Sequence, residues 1–182
     1  MPRLYLIRHG EPATTWGDGD PDPGLSALGR AQAADTAYKL GALKPKRIVT
    51  SPLLRCRETA AALEMESGLT AATEPLAAEI ATPRDIADRR AWLSELLAGD
   101  WASYPDFDTW RSDLISRIVA LEEDAAIFSH FVAINVLVGA ARGETKATVF
   151  RPAHASITTL DVEAGRLRIA ALGAETAALT AL

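Results

Sequence analysis

The segment Leu4-Tyr5-Leu6-Ile7-Arg8-His9-Gly10 decides the fold, because four apolar residues lead directly into a guanidinium, an imidazole and a glycine. A short apolar run of this kind is typical of a buried strand. Glycine then permits a sharp change of chain direction. The segment therefore predicts a first strand, Leu4 to Ile7, followed at once by a loop that carries polar side chains.

The same arrangement recurs later in the chain. Ala125 to Ser129 is a second strand-like run, and it ends at His130. The apolar segment from Phe131 to Ala141, interrupted by Asn135, is long enough for a buried helix but well short of the roughly 20 residues that cross a membrane. A further short strand is predicted over Arg47 to Thr50.

Other helices are predicted from capping residues and apolar spacing. Three begin at a capping residue: Ser26 to about Leu40, Ser51 to about Met65, and Thr82 to Leu97. Gly41 is the predicted terminator of the first helix. In the second and third, a proline follows the capping residue and takes the first helical position, where its missing N–H costs nothing. One apolar stripe marks another helix, with the members Phe107, Trp110, Leu114, Ile118 and Leu121.

The alternation of strands and helices predicts an α/β fold. Ser156 to Val162 and Leu167 to Leu172 are predicted to form a C-terminal hairpin. The whole is expected to be a three-layer α/β/α sandwich with a mostly parallel central sheet, that hairpin, and helices on both faces. Residues 1–182 are predicted to form one domain, in which a helical, aromatic insert at about residues 82–122 covers the functional site. The aromatic residues of this insert are Trp92, Trp101, Tyr104, Phe107 and Trp110.

Composition excludes several classes of function. Of 182 residues, 48% are hydrophobic and 24% are charged, and 19 basic against 24 acidic side chains give a formal charge of −5. This balance predicts a soluble globular domain that does not bind nucleic acid or membranes. The run Leu4 to Ile7 is too short for a secretory signal, so the predicted location is the cytoplasm. The single cysteine, Cys56, has no partner for an intrachain disulfide and is interpreted as a packed helix residue.

Four side chains capable of binding an anion fall where the predicted strands end. Ligands of open α/β sheets bind beyond the carboxyl ends of the strands, and Arg8, His9, Arg55 and His130 are all placed there. The predicted helices after Ser51 and His130 add backbone N–H donors at the same edge. The sequence therefore predicts an anion pocket that contains imidazoles.

Three ordered blocks of the chain resemble the histidine phosphatase superfamily, which includes the phosphoglycerate mutases. The first is Arg8-His9-Gly10-Glu11 with the segment Asp22 to Ala33. The second is Ser51 to Ala60, and the third is Phe128-Ser129-His130 followed by an apolar helix. Arg-His-Gly alone recurs by chance, but the order of all three blocks makes the resemblance specific.

The resemblance implies a role for each residue of the predicted pocket. His9 is the nucleophile that accepts the phosphoryl group, while Arg8, Arg55 and His130 hold the phosphate oxygens. Physical chemistry agrees, because a neutral imidazole attacks phosphorus without prior deprotonation and guanidiniums neutralise the charge that spreads over the phosphate oxygens. No cofactor and no metal is needed for this chemistry.

The same resemblance implies a carboxyl group that protonates the leaving oxygen and later activates water. Leu76-Ala77-Ala78-Glu79 is the best match to its usual place, so Glu79 is chosen, with Asp85 and Asp88 as alternatives. His154 and Ser129 are predicted to stand behind the phosphate ligands and orient them. For His154, a surface position at the end of a loop is an equally open interpretation.

Departures from the family pattern bear on the substrate. Trp16-Gly17 stands where many members have an asparagine after the tryptophan. Glu79 is followed by Ile80-Ala81-Thr82-Pro83 rather than by the Glu-Arg-His-Tyr-Gly run of sugar-acid mutases. Phe131-Val132 replaces the usual glycine pair, which is expected to narrow the pocket or redirect the loop.

The leading prediction is therefore a phosphomonoester hydrolase that forms a phosphohistidine on His9. The alternatives are a phosphoglycerate mutase-like phosphotransferase and a non-catalytic protein that binds a phosphorylated ligand. A metal site built from His9, His130 and His154 is disfavoured, since the nearby arginines repel a cation. The expected partner is a small phosphorylated substrate or a phosphoprotein, and the sequence carries no signal for an oligomeric state.

Overall fold

The protein is described here from a computed structural model, in which residues 1–14 and 20–176 are described. Trp16 and Gly17, one of the departures noted above, lie outside the described residues. The strands are β1 (Arg3–Arg8), β2 (Arg47–Thr50), β3 (Ala71–Thr73), β4 (Ala125–Ser129), β5 (Ile157–Glu163) and β6 (Arg166–Ala171). The α-helices are α1 (Ala27–Leu43), α2 (Leu54–Ser67), α3 (Arg89–Ala98), α4 (Asp108–Val119) and α5 (Phe131–Arg142).

The strands form one six-stranded sheet in the order β3-β2-β4-β1-β5-β6. The first four strands in this order run parallel. The strand β5 pairs with β1 antiparallel, and β6 pairs with β5 antiparallel. The β5–β6 hairpin turns at Ala164 and Gly165, whose φ angles of 48° and 73° both lie in the left-handed region that tight hairpin turns require. The predicted mostly parallel sheet with a C-terminal hairpin is confirmed, whereas the short edge strand β3 was not predicted.

Helices cover both faces of the sheet, as alternation along β1 shows. Leu4 and Leu6 pack in one apolar cluster with α3, α4 and α5, whereas Tyr5 and Ile7 pack in a second cluster with α1 and α2. Successive side chains of a strand point to opposite faces, so a strand that is apolar throughout is buried on both. The predicted three-layer sandwich is confirmed.

The N-terminal end of α1 is as predicted, but its C-terminal end is not. The Ser26 hydroxyl accepts a hydrogen bond from Gly29 N at 2.9 Å, which is a helix N-cap. The helix runs through Gly41 and ends at Lys44, whose φ of 52° is left-handed. Gly41 was the wrong terminator because it serves packing instead: a Cβ there would lie 3.0 Å from Glu66 Cγ.

The predicted starts of two other helices are wrong, because carboxylates provide the caps. The helix α2 begins at Leu54, and Asp22 Oδ1 accepts the hydrogen bond of Leu54 N at 2.8 Å. Thr82-Pro83 opens only a single turn, and α3 begins six residues later, where Asp88 Oδ1 accepts from Ala91 N at 2.9 Å. Both Ser51 and Thr82 are therefore outside the helices they were expected to cap.

Segment 82–122 packs its aromatic side chains onto the sheet. Trp101 is only 3% exposed and lies in the core cluster, with the Arg111 guanidinium 4.6 Å above its ring. The other four rings named above are partly buried against that cluster. The predicted helix with the Leu114 and Ile118 stripe is α4, and both of these side chains are buried. None of the helices in residues 1–14 and 20–176 is long and apolar enough to pass through a bilayer.

Candidate active site

Parallel pairing of β1 with β4 brings the two predicted histidines together. Arg8 is in register with Ser129, so His9 and His130 leave the sheet side by side, with ring centroids 5.2 Å apart. His9 N donates to Ser129 O at 3.0 Å, which fixes this exit. Both imidazoles are buried, at 6% and 0% exposure.

Arg55 reaches both imidazoles from the first turn of α2. Its Nε donates to His9 Nε2 at 3.3 Å, and its Nη2 lies 3.2 Å from His130 Nδ1. The guanidinium also pairs with Asp22 at 3.8 Å, and the arginine is 3% exposed. The structure therefore brings together three residues that lie far apart in the sequence, as predicted.

The orientation of His9 is set by its own loop. His9 Nδ1 lies 2.7 Å from Gly10 O, and a carbonyl oxygen can only accept, so the neutral ring carries its proton on Nδ1 and its lone pair on Nε2. Gly10 N in turn donates to Thr59 Oγ1 at 3.0 Å. Gly10 has no left-handed φ. It is required because a Cβ would lie 2.5 Å from Gly29 O.

Arg8 ends β1 within electrostatic reach of both imidazoles, and its side chain is almost completely buried. Its Nη1 donates to Pro152 O at 2.9 Å, and its guanidinium carbon lies 5.3 Å from the centre of the Phe131 ring. Burial lowers the pKa of Arg8 to about 10, and the negative charge of Glu79 opposes this shift. Phe131, which stands in place of a glycine, thus packs against Arg8 rather than leaving open space beside it.

Glu79 is the carboxylic acid that the structure places beside these groups. Its Oε1 accepts from Ile80 N at 3.0 Å and its Oε2 from Val132 N at 3.3 Å. Burial raises the pKa of Glu79, against the hydrogen bonds from Ile80 and Val132 and the charges of Arg55 and Arg8. Of the two alternatives, Asp88 caps α3 and Asp85 is exposed.

The two predicted orienting residues also have defined places. The His154 ring centroid is 5.5 Å from that of His9, and burial, together with the charge of Arg8, lowers the pKa of His154 to about 3. This position is beside His9 rather than at an exposed loop end. Ser129 Oγ donates to Ala77 O at 2.7 Å and so ties β4 to the segment that leads to Glu79.

The electrostatic environment keeps the imidazoles neutral. Burial lowers the pKa of His9 well below its ordinary value, and His130, Arg8 and Arg55 lower it further. The pKa of His130 is also well below its ordinary value, because of burial and then of Arg55 and Arg8. A neutral imidazole is a nucleophile, and the two guanidiniums attract an anion toward it. In the part of the chain that the structure describes, no group of three His, Cys, Asp or Glu side chains is placed to hold a metal ion.

Two residues at the site were missed by the sequence analysis. Arg89, the first residue of α3, is half-buried, and its pKa is lowered to about 10 by burial while the charge of Glu79 raises it. Nothing in the local pattern distinguishes it from Arg84 or Arg90. Asp22 joins the loop after β1 to α2 and Arg55, but its position depends on a loop path that no periodicity predicts.

Cys56 provides a direct test of packing at the site. It is completely buried in α2, and burial raises the pKa of its thiol despite the neighbouring charge of Arg55. We expect the folded protein to react with a disulfide reagent at pH 8 at least about 100-fold more slowly than free cysteine, since reaction waits for unfolding. The measurement is thiol release with time, with the protein unfolded in guanidinium chloride as the control. Reaction at the rate of a free thiol would contradict this packing.

Comparison with known proteins agrees with this geometry. The model of the histidine phosphatase superfamily (branch 1) matches residues 4–175, so the chain belongs to that superfamily. Glucosyl-3-phosphoglycerate phosphatase of Mycobacterium tuberculosis is 41% identical over 70 residues, which are 37% of this chain and 31% of the relative. The match thus spans less than a third of that relative's length.

Solved structures resemble the chain over nearly its whole length. The native structure of mycobacterial glucosyl-3-phosphoglycerate phosphatase is 25% identical with a TM-score of 0.74, covering 97% of this chain and 100% of that one. A phosphoserine phosphatase from Entamoeba histolytica, in complex with 3-phosphoglyceric acid, is 18% identical with a TM-score of 0.73, covering 100% of both chains. The second likeness is one of fold.

Proposed function

We propose that this protein is a phosphomonoester hydrolase that forms a phosphohistidine on His9. The observation that carries the proposal is the His9 Nδ1 contact with Gly10 O at 2.7 Å, which leaves the Nε2 lone pair facing Arg55, with the centre of the His130 ring 5.2 Å from that of His9. Phosphate oxygens would replace the imidazole nitrogens as partners of the Arg55 guanidinium. Arg8 would supply the second guanidinium, and no cofactor takes part.

The first step transfers the phosphoryl group. His9 Nε2 attacks phosphorus, the Nε2–P bond forms, and the bond to the ester oxygen breaks. Glu79 gives its proton to the leaving oxygen, and the raised pKa supports this role because the acid form persists to a higher pH than it does for an exposed glutamate. His9 Nδ1–H stays on Gly10 O and stabilises the charge that develops on the ring.

The second step hydrolyses the phosphohistidine and regenerates the free enzyme. The Glu79 carboxylate takes a proton from water as the water oxygen attacks phosphorus, and the Nε2–P bond breaks to release inorganic phosphate. The phosphotransferase alternative uses a second acceptor instead of water. Hydrolysis is favoured here, because the Ile80-Ala81-Thr82-Pro83 segment after Glu79 lacks the basic and aromatic side chains of the sugar-acid mutase run.

For the substrate, we propose a small phosphomonoester. The relatives named above act on or bind phosphorylated three-carbon acids according to their names, glucosyl-3-phosphoglycerate and 3-phosphoglyceric acid. A further cation would suit such an acid, and Arg89 is one within electrostatic reach of Glu79. Selection of substrate by segment 82–122, of which Arg89 is part, belongs to the same proposal, and the cytoplasmic location stays a prediction from sequence.

The experiment that tests the proposal measures the release of inorganic phosphate and traps the phosphohistidine intermediate in alkali. The protein is incubated with each of a panel of phosphomonoesters and quenched in alkali. Mass spectrometry should then show a protein heavier by about 80 Da, the mass of one phosphoryl group, with the added mass on the peptide that contains His9. Added alcohol or glycerate acceptors should leave phosphate release unchanged. Transfer to the acceptor would establish the phosphotransferase alternative, and binding of phosphate without any turnover would establish the non-catalytic one.

A further inference from the structure

Ser51 stands directly behind His130, where the sequence predicted only a helix cap. It follows β2, is 0% exposed, and its Oγ lies 2.8 Å from His130 Nε2. The parallel pairing of β2 with β4 produces this contact, since Ser51 N also donates to Phe128 O at 2.9 Å. The hydroxyl therefore belongs to the environment of His130.

The proton on His130 can be assigned from its two neighbours. Arg55 Nη2, 3.2 Å from Nδ1, has only hydrogens to offer, because a guanidinium is a donor without an acceptor. His130 Nδ1 must then carry the lone pair. A neutral imidazole has one N–H, so Nε2 carries it and donates to Ser51 Oγ.

The remaining hydrogen bonds of Ser51 are consistent with this direction. Leu53 N donates to Ser51 Oγ at 3.2 Å. A hydroxyl oxygen accepts up to two hydrogen bonds, so His130 and Leu53 fill its lone pairs. Ser51 is an acceptor that is already in place for His130 Nε2–H.

We propose that Ser51 is a positioning residue for phosphate binding: it holds Nε2–H of His130, so that Nδ1 faces the phosphate and can take up a proton as the phosphate binds. The assignment of His130 to phosphate comes from the proposed function. The role of Ser51 follows from the contacts of the buried hydroxyl. It acts through the imidazole and touches no substrate atom.

The proton balance of this step is simple. A phosphate monoanion enters, and its remaining proton passes to His130 Nδ1, so that a dianion faces an imidazolium. Nδ1–H then donates to a phosphate oxygen, while Nε2–H keeps its bond to Ser51 Oγ. Both donors of the imidazolium are thus satisfied without movement of the ring, which matters because an unsatisfied buried donor is costly.

Charged and titratable groups surround His130 on several elements. Arg55 and Cys56 face it from α2, and Arg8 and His9 come from β1 and the residue after it. Both guanidiniums disfavour the imidazolium, and a bound phosphate dianion offsets them. Glu79 bonds Val132 N, two residues beyond His130.

The test measures binding of inorganic phosphate to the intact chain by calorimetry between pH 5.5 and 8.5. Ser51→Ala should weaken binding at pH 7 by about 10- to 100-fold, the effect of losing a hydrogen bond to a charged group. The fall in its affinity as pH rises should also be smaller than in the wild type and should end at a lower pH. Free phosphate loses its proton at the same pH in both measurements, whereas the imidazolium of the variant's complex, without its acceptor, loses its proton earlier. Ser51→Thr keeps a hydroxyl and should restore most of the affinity and the pH dependence.

Two controls separate positioning from packing. Cys56→Ala removes the other neighbour of Nε2, whose sulfur lies 3.3 Å away, and should leave the pH dependence in place. Loss of the Leu53 bond in Ser51→Ala should lower the unfolding temperature. A purely structural effect would not change how far the phosphate affinity falls as pH rises. An unchanged pH dependence in Ser51→Ala would overturn the proposal.

A second measurement does not depend on binding or turnover. With only three histidines in the chain, imidazole ¹⁵N resonances of histidine-labelled protein can be assigned with single-histidine variants. Without added phosphate, His130 should show the Nε2–H tautomer in the wild type and a mixture of tautomers in Ser51→Ala. A wild-type ring protonated on Nδ1 would refute the role of Ser51, whereas an absence of ester hydrolysis with the expected tautomer would refute only the proposed function.

Discussion

Replacement of His9 by alanine is expected to reduce turnover of every phosphomonoester substrate by at least about 10⁴-fold, because it removes the atom that forms the bond to phosphorus. The side chain is buried beside Arg55 and the His154 ring. His130 Nδ1 faces the same guanidinium, and His130 is proposed above as a ligand of phosphate rather than as the nucleophile. Steady-state rates with the alkaline trap described above measure both the loss of turnover and the loss of the phosphohistidine.

His154→Gln is the matched control for this experiment, since it removes a second imidazole, whose ring centroid lies 5.5 Å from that of His9. We expect a smaller fall in turnover and an intact phosphohistidine. His9→Ala should still bind inorganic phosphate through Arg8 and Arg55, which separates loss of the nucleophile from loss of the fold. Undiminished turnover in His9→Ala would refute a covalent mechanism on this residue.

The sequence predicted the site best where the backbone alone determines position. Arg8, His9 and His130 directly follow or end apolar runs that could only be buried strands, and parallel pairing places such ends at one edge of the sheet. The prediction for Arg55 depended on its place in the first turn of a helix. The predicted start of that helix was wrong by a few residues, an error smaller than the length of an arginine side chain. The convergence of these four groups was therefore predictable.

The sequence analysis missed the start of α3, the role of Ser51 and the strand β3, because the local sequence signals for these features are ambiguous or weak. Thr82 and Asp88 are both capping residues before a helix, and the sequence does not show which one the chain uses; Asp88 caps α3. Ser51 has the pattern of a helix cap, yet tertiary contact directs its hydroxyl to His130. The strand β3 is only Ala71–Thr73, too short and too small in its side chains to stand out as a periodic run.

Replacement of Glu79 by glutamine is expected to lower kcat/KM for alkyl phosphomonoesters by about 10²- to 10⁴-fold, the usual contribution of a general acid. The loss should be much smaller for 4-nitrophenyl phosphate, whose leaving group departs without a proton. The amide oxygen can still accept from Ile80 N or Val132 N, so the fold around the site is preserved. The dependence of rate on leaving-group basicity, measured over a series of esters, reports this difference.

The pH profile of the same variant gives the second part of the prediction. Burial raises the pKa of Glu79, and the first step needs the protonated form, so wild-type kcat/KM should hold below that pKa and fall as pH rises through it. The opposite limb comes from His9, whose lowered pKa keeps the nucleophile neutral until the medium is distinctly acidic. Glu79→Gln should lose the fall in rate that deprotonation of Glu79 causes and keep the acidic limb, so that only the loss of phosphate affinity through His130 remains at high pH. Asp85→Asn, at the exposed alternative, should change kcat/KM by no more than about two-fold, as surface substitutions do. If Asp85→Asn instead removed the alkaline limb and Glu79→Gln retained it, the acid would be Asp85, and the hydrogen bonds that hold Glu79 against α5 would serve the fold alone.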